Sequence, residues 1–374
     1  MAAINWKKRS MLNFGFPKDQ AKMKHIRGFD GLRAFAVLGV MFVHLGWKPF
    51  EYGWVGVPFF FVLSGFLITE ILLDNKESNA RTFFSVFYVR RALRIFPLYF
   101  LYLAVIGAWC ALLGVKTEGW PWFFIYLQNY YLGARDLRLT PGMDLSHTWS
   151  LAVEEQFYML WPLVIFATSR QLLKALCVLL IVGGVVSRYW IANNLQYVAF
   201  APLSSNLDTL CLGALLAILA RDSDTKFANF SRVTLVIGIA LLIAINVWPP
   251  GTLNASNSIF MFVLAIVFAG VVGTVACSTN GFGLEWKPLA YIGRISYGLY
   301  IWHAFGYGIV SVAVYHKWVP DLGWMVNDIA RIAITFGIAT VSFHYFERPI
   351  LRLKDRVSYG AARPGRSPGN AATS

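Results

Sequence analysis

The chain has 374 residues, of which 57% are hydrophobic and only 14% charged, with a mean hydropathy of +0.55. Soluble globular domains carry roughly 25% charged residues, so this composition excludes an ordinary soluble protein and points to an integral membrane one. The net charge of +14 does not indicate a nucleic-acid partner, because the basic residues flank apolar runs as orientation signals do.

In chain order, ten apolar stretches predict an all-α bundle of about ten transmembrane helices, over 29–48, 54–73, 95–115, 147–168, 171–191, 199–220, 230–248, 257–278, 286–313 and 328–348. Each is near the length that crosses about 30 Å of hydrocarbon. Three regions result: a basic tail, 1–28; the transmembrane domain, 29–350; and a basic tail, 351–374, whose Gly, Pro and Ala content predicts disorder. Lys and Arg crowd both tails and alternate loops (Lys76, Arg81, Arg90, Arg91 and Arg94 in one), which predicts that both termini are cytoplasmic. The first apolar run follows nearly thirty polar residues and lacks a cleavage site, so it is expected to remain as an anchor. The long outward connection, 116–146, carries the aromatic stretch WPWFFIYLQNYYLG, suited to folding back and roofing a cavity. Cys110, Cys177, Cys211 and Cys277 all lie in apolar spans and read as packing residues.

The first span, FDGLRAFAVLGVMFVHLGW, holds Arg33 and His44 in apolar surroundings, with Asp30 at its start. Eleven helical steps bring the two onto one face, about 16 Å apart along the axis. The fourth span opens with HTWSLAVEEQFYMLWP, in which His147, Ser150, Glu154 and Tyr158 follow helical spacing and Glu155 points about 100° away. Glu154 is therefore the better inward-facing carboxylate, with a helix-start acid as the plainer alternative. In the second span Ser64 and Gly65 interrupt a Phe-rich run, a pattern that more often serves packing than chemistry. Arg91 and Arg94 lie three apart in FYVRRALRIFPLYF, a spacing that suits phosphate, lipid headgroups or topology equally. YIGRISYGLYIWH adds Tyr297 and His303, and FHYFERP ends the last span with Glu347 and Arg348, which read as an interfacial pair. The histidines show no metal-ligand spacing, and no metal is expected.

Taken together, these segments resemble the acyltransferase-3 family of bacterial membrane O-acyltransferases. The arginine, ten intervening residues and histidine match at Arg33 and His44, followed in order by VLSGFLI, RRALRIFPLYF, HTWSLAVEEQFYMLWP and YIGRISYGLYIWH. The resemblance covers residues 28 to about 350. It implies transfer of an acyl group, most often acetyl from acetyl-CoA, to sugar hydroxyls of surface polysaccharides such as a lipopolysaccharide O-antigen, of peptidoglycan or of lipid-linked saccharides. Acyl-CoA is then a substrate, with no cofactor held permanently, and the location is the bacterial cytoplasmic membrane.

On that resemblance His44 is expected to act as general base, Glu154 to orient its imidazole, and Arg33 to bind the donor or neutralise Asp30. Arg91 and Arg94, with Arg90 beside them, are expected to hold the phosphates of acyl-CoA, while Asp30, Ser64, His147, Ser150, Tyr158, Tyr297 and His303 line the cavity. Some members carry an extracellular esterase-like domain, and this chain is expected to work without one. Two rival readings are an ion-coupled transporter or flippase, which also uses intramembrane charges, and a cytoplasm-facing acyltransferase of a small glycosylated metabolite.

Overall fold

The computed structural model describes residues 26–115, 118–135, 145–195, 198–247 and 257–357, and every regular element among them is helical. Hydrocarbon offers no water to an unpaired N–H or C=O, so a chain this apolar pairs its backbone within each segment. The helices are α1 (Phe29–His44), α2 (Gly56–Asp74), α3 (Ala80–Leu112), the short α4 (Trp120–Phe124) and α5 (Gln128–Gly133), α6 (Trp149–Ala167), α7 (Arg170–Asn194) and α8 (Leu207–Ala220). They continue with α9 (Asp224–Val247), α10 (Ser258–Ala276), the short α11 (Lys287–Arg294), α12 (Ser296–Tyr315), α13 (Trp324–Ser342) and α14 (Arg348–Leu353).

Eight of the described helical segments, those carrying α2, α3, α7, α8, α9, α10, α12 and α13, are long and apolar enough to cross a membrane. The protein is thus an all-α, multi-pass membrane protein. Two predicted spans fall outside that set: α1 has only 16 residues, and α6 carries Glu154 and Glu155. These are also the two helices with the most polar sequence signals. Most of the basic N-terminal tail, the chain beyond residue 357 and residues 136–144 of the long outward connection lie outside the described residues.

Three boundaries differ from the sequence reading. Helix α3 starts at Ala80, not near 95, because Asn79 caps it, its Oδ1 accepting from Thr82 N at 2.9 Å. Arginine is a good helix former, so Arg81, Arg90, Arg91 and Arg94 interrupt the apolar pattern without interrupting the helix. The span 286–313 is two helices, α11 and α12, joined at Ile295. The last span ends in a π-helical turn, Phe343–Glu347, before α14. The aromatic stretch after α3 folds into α4 and α5, which pack inward through Phe123 and Leu132, with Tyr126 stacked on Tyr99 at 4.5 Å.

Two apolar cores hold the bundle. One gathers α2, α6, α7, α8 and α10 around Phe61, Phe66, Trp161 and Leu210; the other gathers α1, α3 and α12 around Met41, Tyr99, Tyr102 and Ile301. The α2–α8 crossing is backbone to backbone. A Cβ at Gly65 would overlap the Leu210 carbonyl, and one at Gly213 would overlap that of Val62. Glycine at these points lets two helices touch where lipid supplies no hydrophobic drive. That contact fixes the position of Ser64, one residue away.

Candidate active site

The polar residues fall into two clusters at different heights along α1. The first surrounds Arg33, whose Nη1 donates to Asp30 Oδ1 at 2.8 Å near the start of the helix. Arg94, Tyr158 and Asp30 are the charged or polar groups that act on Arg33, and Arg91 is in turn influenced by Tyr158, Arg94, Glu155 and Glu154. Three guanidinium groups, from α1 and α3, therefore share one chamber. Arg91 rests over the Tyr158 ring at 5.3 Å and near the Phe87 ring at 5.9 Å, and both Arg91 and Arg94 are half-buried. Neither donates a hydrogen bond to any described residue. A guanidinium offers five donors, so two of them without acceptors among the described residues leave donors that an anion's oxygens can take.

Glu154 belongs to this first cluster. Ser64 Oγ donates to its Oε1 and also bonds Tyr158 Oη at 2.8 Å, and Arg91 and Arg94 are the cations nearest to it. The expected Glu154–His44 partnership is therefore not formed. His44 lies eleven residues beyond Arg33, about 16 Å of helix away, whereas Glu154 sits beside the arginines. Glu155, expected to point away, is buried and also faces Arg91, so both carboxylates line the chamber. Tyr297 joins them by donating to Ile95 O at 2.9 Å. Arg90 does not: it donates to the carbonyls of Lys354 at 3.2 Å and Val357 at 2.7 Å, tying the segment after α14 to α3.

The second cluster stands at the far end of α1. His44 is exposed, and its Nδ1 donates to Val40 O at 2.7 Å. Since a carbonyl only accepts, this bond places the neutral ring's proton on Nδ1 and its lone pair on Nε2. A backbone carbonyl thus does what Glu154 was expected to do. Beside it lies His303, fully buried, with ring centroids 4.8 Å apart; His147 follows at 4.7 Å from His303. Ser150 Oγ bonds Tyr300 Oη at 2.5 Å, and Tyr300 Oη also donates to His147 O at 2.7 Å. The end of α1 is clamped. Leu45 N bonds Phe42 O, which frees Met41 O to accept from Tyr307 Oη at 3.1 Å. Trp47 Nε1 donates to Asp328 Oδ2 at 2.7 Å.

The residues expected to line a single cavity are therefore divided between two clusters: Asp30, Ser64, Tyr158 and Tyr297 with the arginines, and His147, Ser150 and His303 with His44. Cavities of about 750 and 340 Å³ open on apolar flanks, near Trp302 and Ile338 and near Phe100 and Trp120, and no expected site residue lines them. Among the described residues no group of three or more His, Cys, Asp or Glu side chains is placed to hold a metal ion.

Four polar features were missed or misread from sequence. Arg188 and Asp208 form a fully buried ion pair between α7 and α8 at 2.7 Å, although each stands in an apolar run where a lone charge is itself a signal. Asp328, 3% exposed, also pairs with Arg331 at 2.7 Å. Glu347 does not pair with Arg348. The π-helical turn swings it inward, where Ser342 Oγ donates to it at 3.2 Å and Arg94 is its opposing charge, while Arg348 is exposed. Arg294, which stands within a predicted apolar span, is exposed, with its guanidinium 5.8 Å from the Tyr291 ring.

Comparison with known proteins now bears on this geometry. No solved structure matches the chain. A Bacillus subtilis (strain 168) protein named putative peptidoglycan O-acetyltransferase YrhL is 30% identical over 365 residues, covering 87% of this chain and 55% of that protein. Peptidoglycan O-acetyltransferase OatA of Listeria monocytogenes is 29% identical over 358 residues, covering 87% and 56%, and a putative O-acetyltransferase of Staphylococcus aureus (strain COL) is 29% identical over 367 residues, covering 90% and 58%. The chain spans a little over half the length of these relatives. The acyltransferase domain family matches residues 26–344, and the chain belongs to that acyltransferase-3 family.

Proposed function

We propose that the protein moves an acyl group, most simply acetyl, from acyl-CoA to a sugar hydroxyl of a surface polysaccharide or glycoconjugate in the bacterial cytoplasmic membrane. The observation that carries this reading is the pair of arginines without acceptors among the described residues, Arg91 and Arg94, beside Arg33 on a helix whose far end presents an imidazole with its Nδ1 tied to a carbonyl. The relatives named as peptidoglycan O-acetyltransferases support a glycan hydroxyl as the acceptor.

Read with the basic residues on the cytoplasmic side, the donor's phosphates meet Arg91, Arg94 and Arg33 from within the cell. A pantetheine arm of about 15–20 Å then carries the thioester along α1 toward His44. The acceptor arrives at the exposed face of His44 from outside. There the Nε2 lone pair takes the hydroxyl proton as the oxygen attacks the thioester carbonyl; the C–S bond breaks, and the proton passes to the departing thiolate. Val40 O keeps the ring in the required tautomer throughout. Glu154, bonded to Ser64 and facing Arg91, balances the arginines and is not a partner of the base.

The test offers labelled acetyl-CoA to purified protein in lipid nanodiscs, with and without candidate glycans. The proposal expects acceptor-dependent label on glycan and release of free CoA. A flippase leaves the thioester intact, and label appearing on a soluble metabolite with none on glycan would make the acceptor assignment wrong.

A further inference from the structure

Three of the chain's six histidines stand in one column. The His44 and His303 rings meet at 64° with centroids 4.8 Å apart, and the His303 and His147 rings meet at 68° with centroids 4.7 Å apart. They come from three separate elements: α1, α12 and the 3₁₀ turn Ser146–Thr148 that opens α6. His44 is exposed, whereas His303 and His147 are buried, at 0% and 4% exposure. Packing alone does not call for this. An apolar ring fills the same volume without the cost of burying imidazole nitrogens.

The first two rings are fixed in the same way. His44 Nδ1 donates to Val40 O and His303 Nδ1 to Tyr300 O, both at 2.7 Å. In its neutral form His303 therefore carries its proton on Nδ1 and its lone pair on Nε2, with the negative end of its dipole directed away from the Tyr300 carbonyl.

We propose that His303 is a positioning residue for His44: a neutral imidazole of fixed tautomer that holds the His44 ring at the end of α1 and stabilises the imidazolium formed when Nε2 takes the acceptor's proton. This rests on reading His44 as the base. The proton inventory stays closed. The hydroxyl proton goes to His44 and then to the thiolate, and His303 gains and loses none. The negative end of the fixed imidazole dipole, at the ring separation observed and in a surrounding of effective dielectric about 20, changes the barrier by at most roughly one decade in rate.

The experiment compares His303→Phe, His303→Asn and His44→Ala in nanodiscs, reading kcat and donor KM separately. His303→Phe keeps an aromatic ring of similar size and loses both nitrogens; His303→Asn keeps a donor for the Tyr300 carbonyl and a polar acceptor. The expected result is kcat about tenfold lower for His303→Phe with donor KM unchanged, and substantial recovery of kcat in His303→Asn. Wild-type kcat in His303→Phe would overturn the proposal, since the ring would then only fill space. So would equal losses in the two His303 variants. Should His303→Phe fail to insert, the Asn variant decides: kcat below a tenth of wild type contradicts the proposal, and near-wild-type kcat with donor KM unchanged supports it. Activity in His44→Ala would instead remove the reading of His44 as base, whatever His303 does.

Discussion

Arg94→Gln isolates the claim that the arginine chamber binds the donor. Because Arg94 donates no hydrogen bond to a described residue, its removal leaves no protein acceptor unpaired, and it relieves repulsion with Arg33 and Arg91. It also takes away a positive charge facing Glu347 and Glu154, so stability is expected to change little. The loss falls on the donor. One charge-assisted hydrogen bond to a phosphate contributes about 1.5–3 kcal/mol, equivalent to roughly a 10- to 150-fold rise in donor KM. Since Arg94 acts on Arg33, about 16 Å of helix from His44, kcat at saturating acetyl-CoA should change less than about threefold. Initial rates across a range of acetyl-CoA concentrations, at fixed glycan, measure both numbers. An unchanged KM with a collapsed kcat would refute the reasoning, because it would put Arg94 at the reacting atoms and not at the donor's phosphates.

The buried pair makes the opposite prediction. Arg188→Met or Asp208→Leu alone strands a fully buried charge and should cost about 3–5 kcal/mol in a denaturant titration, while the double variant should recover most of it; singles and double unfolding alike would refute this. Gly65→Ala should lower the yield of folded protein sharply, because its Cβ meets the Leu210 carbonyl on α8, whereas Gly183→Ala, with open space around it, should not; size-exclusion profiles of the two decide. Trp47→Phe removes the bond to Asp328 and should cost about 1.5–3 kcal/mol of stability, and a melting point equal to wild type would show that the latch holds nothing. Glu154→Gln keeps a bond to Ser64 but removes a negative charge beside Arg91 and Arg94, so donor KM should fall and transfer should persist; loss of transfer at unchanged donor KM would return Glu154 to the side of the base.

Much of the fold was legible because lipid imposes one rule. A backbone there must be helical, so each apolar stretch of sufficient length meets a helix in the structure. Arg33 and His44 stand out in the sequence for a related reason: charge in an apolar run is costly. What the sequence did not disclose depends on contacts between helices. Glu154 and His44 are both polar groups in apolar stretches, yet only assembly shows that Ser64 of α2 and Arg91 of α3 take the glutamate. The inward turn of Glu347 depends on a π-helical register that composition does not encode. Arg188 and Asp208 each gave a signal, but their pairing needs the α7–α8 contact. Arg90, Arg91 and Arg94 read alike in sequence and part company in space, one toward the carbonyls of Lys354 and Val357 and two toward the chamber.

The most direct test of the account is acetyl transfer by His44→Ala, measured beside CoA binding to the same nanodisc preparation. The account predicts no detectable transfer to glycan while CoA binds with wild-type affinity, since the arginine chamber stands apart from the imidazole. Transfer persisting at the wild-type rate, or CoA binding lost together with the imidazole, would contradict it.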